Sequence, residues 1–318
     1  MIEHGGTLAR AKIRFGAGDD WIDLSTGINP WPYPLPAIPA AAWARLPDED
    51  ALAALKDAAR RFYGVGAQTP IAAAPGSQAL IQLLPRLLPP GDVAIIGPTY
   101  AEHAQCWRQA GHCVIETTDL DAAAAVLVVG NPNNPDGRHW PAETLIAAAR
   151  ARLVVVDEAF GEVGPDCSRS AADGTANLLA LRSFGKFFGL GGLRLGFALG
   201  PADLIGRVEA ALGPWAVSGP ALAVGTAALG DAGWAAATRR RLAAAAAALD
   251  AVLARHGMEP AGGTDLFRLV RAAGAQTLYE RLGTAHILVR RFAERPELLR
   301  FGLPAAESVL ARLDRALG

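Results

Sequence analysis

The amino-acid sequence predicts an α/β protein with two folded parts: a large domain on a mostly parallel, doubly wound sheet, and a smaller α+β C-terminal domain. From about residue 48 to residue 200, helical segments alternate with short apolar strands, the pattern of a doubly wound sheet. After Pro214 the helical segments lengthen and only two further strands are predicted. We therefore predict an N-terminal arm over 1–40, a large domain over 41–215 and a small domain over 216–318.

Each element follows from a local sequence signal. Prolines at 30, 32, 34, 36 and 39 exclude long regular structure near the N-terminus, which we interpret as an arm. Apolar residues at helical spacing predict helices over 51–63, 77–88 and 101–109. Short apolar runs predict buried strands over 93–96, 126–129, 153–156 and 195–199. In the C-terminal part we predict a long helix over 231–256 and strands over 266–270 and 287–290.

The composition indicates a soluble enzyme. The chain has 318 residues, of which 51% are hydrophobic and 19% charged, with a formal net charge of −1. This allows a large core and gives no polyanion-binding character, so we expect no nucleic-acid partner. The alanine-rich stretch over 235–253 is interrupted by Arg239, Arg240, Arg241 and Asp250, which favours a helix of the protein over a membrane span.

The cysteines and the N-terminus indicate the compartment. Cys106, Cys113 and Cys167 are odd in number and lack metal-ligand spacing, so they indicate a reducing compartment and no metal site. The segment that begins at Met1 does not have the character of a signal peptide. We therefore expect a cytoplasmic protein.

Lys186 is the most informative single residue, because glycines and aromatic residues surround it and residues 183–196 contain no carboxylate. Burial without an anionic partner lowers the pKa of a lysine and frees its amine for Schiff-base chemistry. The nearby glycines at 189, 191, 192 and 196 do not have the spacing of a dinucleotide fingerprint, and no ribose-binding acid follows. The segment therefore predicts a carbonyl cofactor at Lys186.

Polar residues follow two of the predicted strands: Asn134 lies in the turn over 131–137, and Asp157 follows the next strand. The carboxyl ends of parallel strands share one sheet edge, so we expect Asp157 and Lys186 to converge there. A carboxylate for the pyridine nitrogen, an asparagine for the ring oxygen and a lysine for the aldehyde are what pyridoxal phosphate needs. Lys186 alone would indicate a surface lysine and Asp157 alone a helix cap. Their joint occurrence with Asn134 and Arg194 favours the site.

Over nearly its whole length, the chain resembles the fold-type I aminotransferase superfamily, by the motifs at 131–137, 157–159 and 183–196 in their order and spacing. The resemblance implies that Lys186 is the Schiff-base lysine, that Asp157 pairs with the pyridine nitrogen and that Asn134 donates to the phenolic oxygen of the cofactor. It also implies that Tyr100 stacks on the cofactor ring. The residues implied to bind the cofactor phosphate are Gly76, Ser77, Gln78, Ser183 and Arg194. A glycine turn that opens an apolar helix suits that role, since it offers free N–H groups and a positive dipole end.

Two N-terminal motifs, at 4–6 and 25–30, resemble those of the threonine-phosphate decarboxylases of cobalamin biosynthesis. In that family the N-terminal arm folds over the active site. The resemblance implies that the substrate, O-phospho-L-threonine, is bound by His4, Gly5, Asn29, Asn134, Arg290 and Arg300. Two arginines suit a substrate with a carboxylate and a phosphate, because each anion can accept a bidentate guanidinium.

The sequence departs from the wider superfamily at two positions. Phe160 stands where many relatives have a tyrosine that donates to the phenolic oxygen of the cofactor. Leu46 stands where many aminotransferases have a tyrosine that reaches the cofactor phosphate of the neighbouring subunit. The superfamily usually forms homodimers, so we expect a homodimer here.

The reaction itself stays open at this level, since one cofactor supports several chemistries. The resemblance implies decarboxylation of O-phospho-L-threonine to (R)-1-amino-2-propanol O-2-phosphate. The alternative is an aminotransferase that acts on a phosphorylated substrate such as histidinol phosphate. A non-catalytic ligand-binding module is a third possibility, against which the intact set of cofactor residues argues.

Overall fold

The computed structural model describes residues 4–164 and 177–318, so Cys167 lies outside the described residues. These residues divide into two units. The larger unit contains Tyr33–Asn134 and the described part of Arg138–Ala235, and the smaller unit contains the N-terminal residues up to Pro32, Pro135–Gly137 and Ala236–Gly318. This division groups the N-terminal segment with the C-terminal part, whereas we predicted a separate arm. The predicted boundaries at 40 and 215 stay a prediction.

The described residues form helices and strands in a mixed order along the chain. The helices are α1 Leu8–Phe15, α2 Ala40–Ala44, α3 Glu49–Tyr63, α4 Ser77–Leu87, α5 Glu102–Gln109, α6 Ala142–Ala149, α7 Phe184–Phe187, α8 Ala202–Leu212, α9 Gly219–Gly230, α10 Ala232–Arg255, α11 Ala275–Thr284 and α12 Glu307–Leu317. The strands are β1 Ile22–Leu24, β2 Ile71–Ala74, β3 Asp92–Ile96, β4 Cys113–Thr117, β5 Val126–Gly130, β6 Leu153–Asp157, β7 Leu178–Ser183, β8 Gly196–Leu199, β9 Glu259–Thr264, β10 Phe267–Arg271, β11 Ile287–Arg291 and β12 Leu298–Gly302.

The sheet of the larger unit has seven strands in the order β2-β8-β7-β6-β5-β3-β4. Strand β8 is antiparallel to both of its neighbours, and the remaining neighbouring pairs are parallel. Every residue of β5 and β7 is buried, which is why β5 and the first four residues of β7 are apolar without alternation. The predicted mostly parallel α/β sheet is confirmed.

The smaller unit contains a five-stranded sheet in the order β1-β11-β12-β10-β9. Strand β1 pairs in parallel with β11, and the other neighbouring pairs are antiparallel. This sheet and the helices beside it give the predicted α+β C-terminal part. None of the helices in the described ranges is long and apolar enough to cross a bilayer.

Several elements were absent from the sequence prediction. Strands β1, β2, β4, β7, β9 and β12 and helices α1, α2, α6, α7, α8, α9, α11 and α12 were not predicted individually. Strand β1 has only three residues and forms by pairing with residues 265 positions later, so no local signal predicts it. Strand β4 lies at the sheet edge, where most of its residues are exposed or half-buried, so it lacks an apolar run.

Candidate active site

The sheet register places two predicted phosphate ligands, Gly76 and Ser183, at one corner of the larger unit. Strand β8 lies between β2 and β7, so that Gly196 pairs with Ala74 on one side and with Ser183 on the other. A Cβ atom at Gly196 would come within 2.7 Å of the carbonyl carbon of Gly76. Only glycine permits this approach, which brings the start of α4 next to the end of β7.

Arg194 completes this corner. Gly76 has a φ of +83°, and a Cβ atom there would lie 2.5 Å from Nη2 of Arg194, so the guanidinium lies against the N-terminus of α4. Arg194 itself has a φ of 54°, and its Nη1 donates to the carbonyl oxygen of Gly191 over 3.0 Å. A guanidinium, open helical N–H groups and the positive end of a helix dipole together suit a phosphate. This donor set fits the phosphate of the predicted cofactor.

Tyr100 is held through the side chain of Gln78. The phenol of Tyr100 donates to Oε1 of Gln78 over 3.0 Å, and Nε2 of Gln78 donates to Glu102 over 3.3 Å. Burial, followed by the charge of Glu102, raises the pKa of Tyr100, so its side chain stays a neutral phenol. The ring is therefore fixed as an uncharged aromatic surface, as the stacking role requires.

Asp157 ends β6, between β5 and β7, and is 8% exposed. Its Oδ1 accepts a hydrogen bond from the amide of Ala159 over 3.0 Å, and its Oδ2 lies 2.9 Å from Nε2 of His103. Because a carboxylate can only accept here, Nε2 of His103 carries the proton. Both oxygens are thus held in place, as a carboxylate that must face a cationic ring nitrogen requires.

The sequence prediction missed His103. It is 2% exposed and lies at the start of α5, three positions after Tyr100, with its amide bonded to the carbonyl oxygen of Tyr100. The spacing of three places both side chains on one face of the chain, which was the available signal. Its partner Asp157 is 54 positions away, so the contact itself has no local signature.

The asparagines of the turn after β5 divide into two groups. Asn131 binds both the amide and the carbonyl of Trp140, and Asn133 accepts from Thr99 and donates to the carbonyl of Pro98. These two side chains shape the turn. Asn134 is half-buried beyond the carboxyl end of β5, next to the edge at which Asp157 lies. This position agrees with the predicted role as a donor to the cofactor.

Lys186 lies on α7, immediately after β7, and is half-buried. Its Nζ lies 5.8 Å from the centre of the Phe160 ring, which is itself buried. In the register of the sheet, Asp157 is opposite Leu181 of β7, and Lys186 lies five residues after Leu181 in the chain. The sheet therefore brings the ends of the strands that lead to Asp157 and Lys186 side by side.

In the smaller unit, the two predicted substrate arginines face each other. Arg290 of β11 is directly opposite Arg300 of β12. The Nη2 atom of Arg300 donates to the carbonyl oxygen of Ser25 over 2.9 Å, and its guanidinium lies 5.0 Å from the centre of the Phe267 ring. Burial, followed by the charge of Arg290, lowers the pKa of Arg300 to about 9. An anion would offset the repulsion within this cationic pair.

The remaining predicted substrate residues also belong to the smaller unit. Asn29 is 2% exposed, and its Oδ1 accepts from the amide of Trp31 over 2.9 Å. His4 and Gly5 are half-buried at the start of the described chain. The predicted cofactor residues thus belong to one unit, and all the predicted substrate residues except Asn134 belong to the other. Their roles stay predictions.

The profile of the aminotransferase class I and II family matches residues 19–317. The chain belongs to this family. The threonine-phosphate decarboxylase of Pseudomonas aeruginosa is 47% identical and covers 100% of this chain and 97% of its own length. The protein of the same name from Sinorhizobium sp. is 46% identical over 99% of this chain and 97% of its own. The family resemblance predicted from the motifs is therefore confirmed.

A solved structure agrees with the fold. The histidinol-phosphate aminotransferase of Sinorhizobium meliloti, solved in complex with pyridoxal 5'-phosphate, superposes with a TM-score of 0.82 at 21% identity. The match covers 99% of this chain and 94% of that one. At this identity the similarity shows the family fold.

Proposed function

We propose that this protein is a pyridoxal-phosphate-dependent carboxy-lyase of cobalamin biosynthesis. It converts O-phospho-L-threonine into (R)-1-amino-2-propanol O-2-phosphate and carbon dioxide. The observation that supports the substrate is the pair of Arg290 and Arg300 across β11 and β12, because O-phospho-L-threonine has two anionic groups. The 46–47% identity of nearly full-length relatives named threonine-phosphate decarboxylase supports the reaction.

The proposed cofactor residues fit pyridoxal phosphate by the chemistry of their donors. The N-terminus of α4, Ser183 and Arg194 would hold the phosphate, and Lys186 would hold the aldehyde covalently. When bound, pyridoxal phosphate supplies an electron sink next to the amino acid's Cα. Asp157 serves that chemistry by keeping a proton on the ring nitrogen, with its own position fixed by His103 and the amide of Ala159.

The protein's residues then determine which bond breaks. The arginines would bind the anionic groups of the substrate and so restrict its orientation, which matters because pyridoxal phosphate promotes cleavage only of a bond aligned with its π system. The amine of the substrate would displace Nζ of Lys186 from the aldehyde, and the released Nζ could then deliver a proton to Cα as general acid after carbon dioxide leaves. If the Cα–H bond were aligned in its place, the same Nζ would remove that proton, and transamination would follow.

The direct test is to incubate the cofactor-loaded protein with O-phospho-L-threonine in the absence of any 2-oxo acid. Carbon dioxide and aminopropanol phosphate should appear in equal amounts over many turnovers. Absence of both products, with activity only when a 2-oxo acid is supplied with histidinol phosphate, would assign the protein to the aminotransferases.

The pH dependence of substrate binding should report on Arg300. Its guanidinium has a pKa of about 9, so it is charged below that pH and loses its proton above it. Binding of an anionic substrate therefore weakens as the pH rises. We expect KM for O-phospho-L-threonine to be flat from pH 7 to 8.5 and to rise roughly tenfold per pH unit above about 9.5. Initial rates of carbon dioxide release across this range measure it.

The matched variant is Arg300→Ala. Its KM at neutral pH should be about 100-fold higher than that of the wild type, as expected for loss of a charged pair. Because the titrating guanidinium is absent, the KM of this variant should not show the further rise above pH 9. Cofactor binding should persist, since Arg300 is in the smaller unit and the cofactor residues are in the larger. A KM for Arg300→Ala equal to that of the wild type at neutral pH would contradict the role of Arg300, whereas a wild-type KM that stays constant to pH 10.5 would contradict only its lowered pKa.

We also propose that the protein is a homodimer, with the second copy bound to an apolar surface of the larger unit. Trp43, Leu46 and Trp215 are 69%, 67% and 58% exposed. Trp215 has a φ of 59°, and it lines the same cavity as Pro47, next to Leu46. Large apolar side chains gathered in this way mark an interaction surface, and homodimers are usual in the superfamily that the sequence resembles.

Light scattering should therefore give twice the chain mass of 33.0 kDa for the wild-type protein. The double variant Trp43→Ser/Trp215→Ser should shift the mass towards the monomer. The control is Ile13→Ser, because Ile13 is 87% exposed but belongs to the smaller unit. A dimer that withstands the double variant would exclude this surface.

The proposed location is the cytoplasm. The described cysteines, Cys106 and Cys113, are free thiols, as a reducing compartment permits. Activity in the cytosolic fraction after gentle lysis would support this location, and activity confined to a periplasmic or membrane fraction would contradict it.

A further inference from the structure

Ser25 joins three separate segments of the smaller unit. Its hydroxyl donates to Oδ1 of Asp23 over 2.6 Å and accepts from the amide of Gly6 over 2.7 Å. Its own amide also donates to Oδ1 of Asp23, over 2.8 Å. Its carbonyl oxygen accepts from the buried guanidinium of Arg300. With 2% of its surface exposed, Ser25 makes these bonds in the interior, where each contributes most.

The backbone packing around Ser25 is equally close. A Cβ atom at Gly5 would fall inside van der Waals contact of the Ser25 carbonyl oxygen, and one at Gly302 would do the same at the carbonyl oxygen of Thr26. The segment of Ser25 and Thr26 is therefore held between the N-terminal residues and β12. Only the absence of a side chain at Gly5 and Gly302 permits this arrangement.

Ser25 therefore connects the N-terminal segment with Arg300, and the proposed function assigns substrate binding to both. Gly5 and its neighbour His4 are predicted to bind the substrate, and so is Arg300. Ser25 contacts both sides: its hydroxyl holds the amide that follows Gly5, and its carbonyl orients the guanidinium of Arg300. Asp23 fixes the rotamer of the hydroxyl, because its Oδ1 accepts from both the amide and the Oγ of Ser25.

We propose that Ser25, oriented by Asp23, is a positioning residue for substrate binding, which holds the segment of His4, Gly5 and Gly6 in register with Arg300. The inference rests on the proposed function and deepens it. Ser25 does not touch the reacting atoms. It lowers KM for an anionic substrate, because the N-terminal segment and the guanidinium are then ordered before the substrate arrives.

The test compares cofactor-loaded Ser25→Ala with the wild-type protein. Ser25→Ala removes the hydroxyl bonds to Asp23 and Gly6 and keeps the carbonyl that Arg300 uses. KM for O-phospho-L-threonine should rise about tenfold, while kcat changes less than about threefold. Hydrogen exchange of the peptide that contains Gly6 should accelerate, and the absorbance of the bound cofactor should not change.

Two further variants separate positioning from general stability. Asp23→Asn keeps an acceptor oxygen for the Ser25 hydroxyl, so its KM should stay close to that of the wild type. Asp23→Ala removes that acceptor, so its KM should match that of Ser25→Ala. If Ser25→Ala does not fold, Asp23→Ala takes its place in the comparison. Ser218→Ala is the control, since the Ser218 hydroxyl caps α9 in the larger unit. It should lower the melting temperature and leave KM unchanged. A KM for Ser25→Ala equal to that of the wild type would overturn the inference.

The outcome can be distinguished from failure of the proposed function. If the wild-type protein releases no carbon dioxide from O-phospho-L-threonine, the proposed function fails. Calorimetric titration of the same cofactor-loaded proteins with O-phospho-L-threonine and with inorganic phosphate then decides the inference. Weaker binding by Ser25→Ala than by the wild type supports it, and equal binding overturns it.

Discussion

Replacing Lys186 with alanine is expected to abolish carbon dioxide release from O-phospho-L-threonine, with a loss of at least about 10⁴-fold. In the proposed function, the amine of Lys186 would hold the cofactor covalently and would later deliver the proton to Cα, so one substitution removes two roles. The chain has three lysines, Lys12, Lys56 and Lys186. Borohydride reduction of the loaded wild-type protein should therefore attach the cofactor to a single tryptic site, which mass spectrometry of the peptides identifies.

Lys56→Ala is the matched control for this experiment. The ammonium of Lys56 pairs with Glu209 near the surface of the larger unit, so its loss should leave turnover within about twofold of the wild type. Lys12 pairs with Asp19 at 4.0 Å in the smaller unit. Reductive labelling at Lys12 or Lys56, with Lys186 unmodified, would refute the assignment.

The sequence was sufficient to predict the candidate site residues that lie at strand ends or in a glycine turn, because both have a local signal. Asp157 and Asn134 each follow a buried apolar run, and parallel strands that pair in register must bring such ends to one edge. The start of α4 was predictable for the same reason, since a glycine before an apolar helix is a local signal. The register of β8 between β2 and β7 then places Arg194 and Ser183 beside it.

The contacts that orient these groups were not predictable, because they join residues far apart in the chain. His103 meets Asp157 over 54 positions, and Ser25 meets Arg300 over 275. The spacing of His103 from Tyr100 and the motif at 25–30 are local signals, but neither indicates which distant residue the side chain contacts. The pairing of β1 with β11 likewise depends on residues that a window of the sequence never contains together.

The second large effect is expected for Asp157→Ala, which should reduce kcat by about 10³-fold or more while the cofactor stays attached to Lys186. In the proposed function, the buried carboxylate of Asp157 would favour a proton on the pyridine nitrogen, and without that positive charge the electron sink is weak. Steady-state carbon dioxide release measures the loss, and absorbance spectra together with reductive labelling check that the cofactor is still bound.

Reconstitution with N1-methylated pyridoxal phosphate tests the reason for this loss, because the methyl group fixes a positive charge on the ring nitrogen. It should restore part of the turnover to Asp157→Ala and none to Lys186→Ala. His103→Phe gives the graded comparison: it keeps the carboxylate and removes one hydrogen bond to it, so kcat should fall only about tenfold. If the methylated cofactor restores nothing to Asp157→Ala, the carboxylate acts in some way other than through the charge of the ring nitrogen.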